Sequence, residues 1–217
     1  MSYLKPASPS SLRLWNECPA KWAHGYINGN WGPAGPAALR GTALHEKLEA
    51  FFKGEIPYPS GDTTLRPWQQ VMEELAAGNP IAEGECAVDV AWAPVDFKSP
   101  DAYYRGKKDL EIPTGDTLTI FDWKSGRISD DHEFQGASYA ALSPGYEKYI
   151  VKFVYLDHPL HIKTWEYSAE EVGANRSALS RTINELRDAS EYPATPGDGC
   201  RWCPLSWRRG GSCKRAR

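Results

Sequence analysis

Thr117-Leu118-Thr119-Ile120-Phe121-Asp122-Trp123-Lys124 reads as a β-strand that ends in charge. β-Branched and aromatic residues fill it, as suits a pleated, half-buried surface. Side chains two apart on a strand share a face. Asp122 and Lys124 therefore project together, and Trp123 turns the other way into packing. That pairing suits phosphodiester hydrolysis. The carboxylate can hold a divalent cation, which generates hydroxide and neutralises the phosphate. The lysine can orient the water or stabilise the pentavalent phosphorane. An exposed salt bridge would look the same in sequence and would be worth little, so the neighbouring segments decide.

Pro113-Thr114-Gly115-Asp116 is turn chemistry. Before it, Tyr103 to Ile112 reads as a strand carrying Asp109, thirteen residues upstream of Asp122. Paired strands bring the two carboxylates together, and a bound cation is the natural reason to tolerate their repulsion. Ala87 to Trp92 alternates like an earlier strand, completing a meander. Downstream, the pattern predicts a helix over His132–Leu142, strands over Tyr149–Leu156 and His161–Tyr167, and a long helix from Ser168 towards Ala189. Upstream, Ser8-Pro9-Ser10-Ser11 opens a helix that Pro19 ends, and a Gly/Pro-rich loop spans Gly25 to Pro36. Further helices fit Leu39–Phe52 and Leu65–Ala77. The order α-α-α-β-β-β-α-β-β-α predicts an α/β protein with a mixed central sheet flanked by helices.

Two helical spacings bear on the same chemistry. Gly41 and His45 share a face, so the small residue permits close approach to the sheet and the imidazole follows it in. A nitrogen donor tilts metal preference from Mg²⁺ towards Mn²⁺ without excluding either. Gln135 and Tyr139 likewise stand four apart on the helix after the charged strand. The cysteines form a second group. Cys200-x-x-Cys203 is a chelating pair, Cys213 follows, and Cys18 can complete a four-thiolate site if the first helix packs near the tail. Zinc and an iron–sulfur cluster both accept four thiolates. Cys86, inside a predicted strand region, reads as a small buried hydrophobe.

The 217 residues suit one domain, or one with a lid. A net charge of -3 argues weakly against a polyanion binder, but from Arg201 to Arg217 there are six basic residues and no acidic one. Trp202 and Trp207 interleave with them, able to stack on bases or pack over a cluster. Five cysteines, an odd number, do not suggest a disulfide framework. No apolar run approaches a membrane span, Met1–Pro6 has no apolar signal core, and no Walker A motif is present. These features lead us to expect no membrane association and a cytoplasmic protein, of a bacterial cell or phage-infected host.

The order G-x-x-x-H, Asp, D-x-K, Q-x-x-x-Y, running from Gly41 to Tyr139, resembles the RecB-like branch of the PD-(D/E)xK nucleases. The resemblance implies a restriction-endonuclease-like core. It implies that His45, Asp109 and Asp122 bind Mg²⁺ or Mn²⁺, that Lys124 is the catalytic lysine, and that Gln135 and Tyr139 line the DNA side. The family's Asp strand usually reads Gly-Arg-x-Asp. Here Arg105-Gly106-Lys107-Lys108-Asp109 departs from it, which makes Glu111 the competing ligand. One cysteine before the core and three after it resembles the iron–sulfur nucleases of the AddB and CRISPR-associated groups. This implies a [4Fe–4S] cluster on Cys18, Cys200, Cys203 and Cys213, with zinc as the alternative. It also implies one nuclease domain over residues 1–217, with a core over about 39–167. A cysteine-rich tail, 190–217, would pack against the N-terminal segment 8–26. The implied function is a DNA exonuclease acting on ends or single strands, in recombination, phage DNA processing or CRISPR adaptation, with a protein partner in such a complex. The alternative is a non-catalytic nucleic-acid-binding subunit that keeps the structural metal site.

Overall fold

The computed structural model describes residues 5–129 and 132–214. In chain order its elements are α1 (Pro9–Glu17), α2 (Pro19–Tyr26), α3 (Pro36–Phe52), α4 (Gln69–Ala76), β1 (Ile81–Val88), β2 (Pro94–Val95), β3 (Tyr104–Thr114), β4 (Thr117–Lys124), α5 (Glu133–Ala141), β5 (Lys148–Tyr155), β6 (Ile162–Ser168) and α6 (Ala169–Asp188). The strands form one mixed sheet in the order β2-β1-β3-β4-β5-β6. β4 and β5 run parallel, and all other neighbours are antiparallel. A parallel pair needs a crossover, and α5 supplies it. The expected mixed sheet flanked by helices is thus what the chain builds.

The chain divides into two compact units, residues 34–177 and residues 1–33 with 178–217. The larger unit holds the sheet. Alternation along β4 splits its packing between two faces. Phe121 and Trp123 join Leu44, Leu48, Trp68 and Met72 from α3 and the α4 region. Leu118 and Ile120 join Tyr139, Ala140 and β5 on the other face. Trp123 is 2% exposed and stacks on Phe52 at 5.8 Å.

β3 and β4 pair from Leu110↔Phe121 to Thr114↔Thr117, leaving a tight Gly115-Asp116 turn with Gly115 at φ 56°. The predicted four-residue turn is therefore two residues shorter. Pro113 belongs to the strand, because β1 ends its pairing at Glu111 and asks no donor of residue 113. β1 lies earlier than the strand predicted over Ala87–Trp92. The Asp89 carboxylate accepts from the amides of Ala91 and Ala93, and Trp92 sits at φ 63°, so that stretch is a turn. α3 starts at Pro36, a residue suited to the first helical position, rather than at Leu39. The helix predicted over Leu65–Ala77 is a 3₁₀ turn, Arg66–Trp68, followed by α4.

In the smaller unit, Pro19 restarts a helix that sequence reading left out. Cys18 is extended between α1 and α2, at φ -165°. Trp22 is fully buried, stacked on Tyr26 at 5.5 Å and touching Trp15 and Tyr192. The Ala20 amide donates to the Pro193 carbonyl, so the tail runs along α2. Two 3₁₀ turns follow, Asp198–Trp202 and Trp207–Arg209. Met1–Leu4, Arg215 and Arg217, which entered the reading of the termini, lie outside the described residues. No helix among the described residues is long and apolar enough to cross a membrane.

Candidate active site

The β3–β4 ladder stops at Leu110 and Phe121, and the site lies where the strands part. Beyond that point the Asp109 carboxylate replaces the missing ladder acceptor, its Oδ2 taking the Trp123 amide at 2.7 Å. Its Oδ1 stands 3.1 Å from His45 Nδ1, brought in by α3. Gly41, one turn earlier, makes that approach possible. A Cβ there would lie 2.9 Å from Ser125 Oγ, just past the end of β4. Burial opposes the His45 imidazolium, but the hydrogen bond and charge of Asp109, with Asp122 behind them, outweigh it and raise the pKa.

Asp122 is 3% exposed, so the D-x-K pair is not a surface salt bridge. Its Oδ1 accepts from the Tyr139 hydroxyl at 2.9 Å and from Gln135 Nε2 at 3.2 Å. Its Oδ2 is ion-paired with Lys124 Nζ at 2.5 Å. Lys124 also donates to Gln135 Oε1 at 2.9 Å and lies 5.2 Å from the Phe153 ring centroid. Burial pushes the Asp122 carboxyl above the usual range; Lys124 pulls it back without cancelling that, and Asp109 adds to the rise. Gln135 and Tyr139 thus hold the Asp122–Lys124 pair from α5. Gly136, between them, lets α5 lie close on the sheet, since a Cβ would meet Tyr167, Phe153 and Val151 within 3.2–3.6 Å.

The departures around Asp109 have local explanations. Glu111 pairs with Lys108 at 2.5 Å, and Lys108, 2% exposed, also donates to Ser143. Lys107 points outward to Glu85. Glu83 was missed, because its strand was predicted to begin six residues later. It sits at φ 50° opposite Asp109, where the β1–β3 register skips a pair. Burial, then the charges of Asp109 and Glu49, raise its pKa, as expected for a carboxyl held beside other acids.

A clamp supports this end of the sheet. Arg40 makes a two-point contact with Asp157, donating Nη1 at 3.0 Å and Nη2 at 2.5 Å, and also reaches Thr64. Asp157 accepts the Gly126 amide at 2.6 Å. The Arg40 hydrogen bond holds the Asp157 carboxyl below the ordinary range. A depressed carboxylate contributes stability above its unfolded pKa, near 4, and loses it as pH falls through the folded value. Asp157→Asn should therefore cost about 1 kcal/mol at pH 7, solvent around the half-exposed guanidinium keeping the figure low. The gap from the parent should close below about pH 4 in urea titrations. A gap independent of pH would sink this account.

In the smaller unit, Cys18, Cys200, Cys203 and Cys213 line one cavity, with Thr195 and Ser206. The Thr195 amide donates to Cys18 Sγ at 3.4 Å and the Gly197 amide to Cys200 Sγ at 3.3 Å. Ser206 Oγ, buried beside them, has no hydrogen-bond partner among the described residues. Cys86 lies in the other unit, its thiol donating to the Gly106 carbonyl, its pKa raised by burial. Among the described residues no three His, Cys, Asp or Glu side chains stand at the spacing of a metal's ligand set.

The sequence profile of the PD-(D/E)XK nuclease superfamily matches residues 6–208. The chain belongs to that superfamily. This PD-(D/E)XK protein is similar in fold to the crystal structure of SSO0001, at TM-score 0.52 and 17% identity, over 100% of this chain and 90% of that one. It is similarly close to a candidate exonuclease from Eubacterium rectale, at TM-score 0.51 and 12% identity, over 91% and 87% of the two chains. Such identities speak to the fold alone. No curated protein matches the sequence of this superfamily member.

Proposed function

We propose that this PD-(D/E)XK nuclease is a metal-dependent deoxyribonuclease of the RecB-like branch, acting on DNA ends or single strands as an exonuclease. The observation that carries the reading is the buried Asp122 carboxylate, with Lys124 against one oxygen and Asp109 with His45 across the parting strands. Two carboxylates and an imidazole suit Mg²⁺ or Mn²⁺, and the burial of Asp122 near Asp109 leaves negative charge that a cation would neutralise. His45, Asp109 and Asp122 would hold it. A cation bound there supplies Lewis acidity and a more acidic water. Lys124 would hold a proton or stabilise charge at the phosphate, and Gln135 and Tyr139 would orient the pair and line the DNA side of the site. The whole chain serves as one nuclease domain, with its core over about 39–167.

We further propose a structural [4Fe–4S] cluster on Cys18, Cys200, Cys203 and Cys213, with zinc as the alternative. Amide donors to two sulfurs and an unpartnered buried hydroxyl suit a thiolate-bound group. The biological setting we propose is recombination, phage DNA processing or CRISPR adaptation in a bacterial or phage-infected cytoplasm, beside a protein partner. The intact Asp109, Asp122 and Lys124 disfavour a non-catalytic binding subunit.

End-labelled linear and circular DNA, single- and double-stranded, tests the proposal. Mn²⁺ should support cleavage at least as well as Mg²⁺, and Ca²⁺ should bind without efficient turnover. Linear substrates should be degraded and circles spared. Robust cleavage in excess chelator would rule out the metal mechanism, and no cleavage with either metal would rule out the enzyme.

A further inference from the structure

Two indole rings near the C-terminus stand in solvent. Trp202 is 70% exposed and Trp207 is 54% exposed. An exposed large aromatic is worth explaining when a second follows it five positions along the chain. Arg201 lies over the Trp202 ring at 5.5 Å, and Arg208 over Trp207 at 5.6 Å. Even with a guanidinium against each ring, most of Trp202 and half of Trp207 stay open. Arg209 and Lys214 are exposed as well, and no acidic residue lies between Arg201 and Lys214.

The display is fixed locally. The Cys213 amide donates to the Leu205 carbonyl at 2.7 Å, and the Trp207 amide to the Cys213 carbonyl at 3.2 Å. Gly210 takes φ 83°, and Gly211 lies so near the Leu205 backbone that a Cβ would come within 2.3 Å. The backbone that carries Trp207 is therefore a folded turn system.

An acidic protein surface would match the arginines and leave the indoles unused. A polyanion with unsatisfied flat faces matches both. Paired bases already stack on one another within a duplex, so the match is to a single strand. We infer that Trp202 and Trp207, with Arg201, Arg208, Arg209 and Lys214, form a stacking platform for single-stranded nucleic acid. The inference rests on the nuclease reading for the reason this chain meets a single strand.

The test uses the full protein in Ca²⁺, so that the strand is not cut, and a fluorescein-labelled oligothymidylate read by anisotropy. An abasic strand of equal length and a duplex are the comparisons. W202A/W207A should weaken oligothymidylate binding about tenfold or more, as expected for loss of base–aromatic stacking. It should leave the abasic strand nearly unchanged, and W202F/W207F should restore much of the loss. Metal content and melting temperature check the tail's fold. Should the double alanine variant unfold it, Trp202→Ala alone carries the test, since that ring is the more exposed. No loss on oligothymidylate, or equal loss on both strands, would overturn the platform. The nuclease reading fails by a separate result, a parent protein that cuts no DNA with Mg²⁺ or Mn²⁺, whatever the strand affinities are.

Discussion

Asp122→Asn should lower cleavage about a thousandfold or more, while the protein melts no lower than the parent. Two effects of the same carboxylate work in opposite directions. When ionised it brings a charge into a site where it is 3% exposed, near a second carboxylate, Asp109. Burying charge is costly unless it is fully paired, and Lys124 serves only one of its oxygens. Asparagine keeps the shape and the Oδ1 acceptor that Tyr139 and Gln135 use, and it removes the charge. Lys124 retains Gln135 Oε1, so it is not stranded. What asparagine cannot do is hold a divalent cation as a carboxylate does. Lys124→Ala should lose most turnover by a different route, with Mn²⁺ affinity kept, because an ammonium is not a ligand. Substantial activity in Asp122→Asn would remove Asp122 from the chemistry. Collapse of Mn²⁺ affinity in Lys124→Ala would show that the lysine acts through the metal.

The charged end of β4 was readable because its signals are local. Alternation, a turn and a two-residue spacing need no tertiary knowledge, and the structure joins Asp122 to Lys124, Gln135 and Tyr139, and Asp109 to His45 and the neighbouring Trp123 amide. The convergence of α3 on that strand was legible from Gly41, whose missing Cβ leaves room at Ser125. β1 was misplaced for a physical reason. Val88-Asp89-Val90 alternates like a strand, but the Asp89 carboxylate captures two following amides and stops it. Residues Ile81 to Glu85 carry little apolar pattern, since β1 alternates weakly and Glu83 breaks its register. Glu83 was lost with them. The burial of Lys108 was equally hidden. Only the fold reveals that Glu111 and Ser143 surround its ammonium and that Gly84 leaves Glu111 the space.

Cys200→Ser should strip the proposed sulfur-bound metal from the protein and leave the segment from residue 190 onward open to protease. The reason is how little else holds that segment. Between residues 190 and 214 only Ser206 is buried, so the tail has almost no apolar core of its own. Its order rests on turns, on contacts such as Tyr192 with Trp22, and on the four cysteines around one cavity. The proposed cluster would bridge position 18 to the 200s and close a very long loop, where the entropic restriction of the unfolded chain is greatest. One lost thiolate should therefore release both the metal and the segment, and nuclease activity should fall with the fold. Cys86→Ser should keep the metal, because that thiol lies in β1 and donates to a strand carbonyl. Iron, sulfide and zinc content after anaerobic purification, together with visible absorption, decides the group. One zinc and no iron would replace the cluster and spare its ligands. A full complement of metal in Cys18→Ser would break the ligand set itself, since the N-terminal segment would then contribute packing and no sulfur.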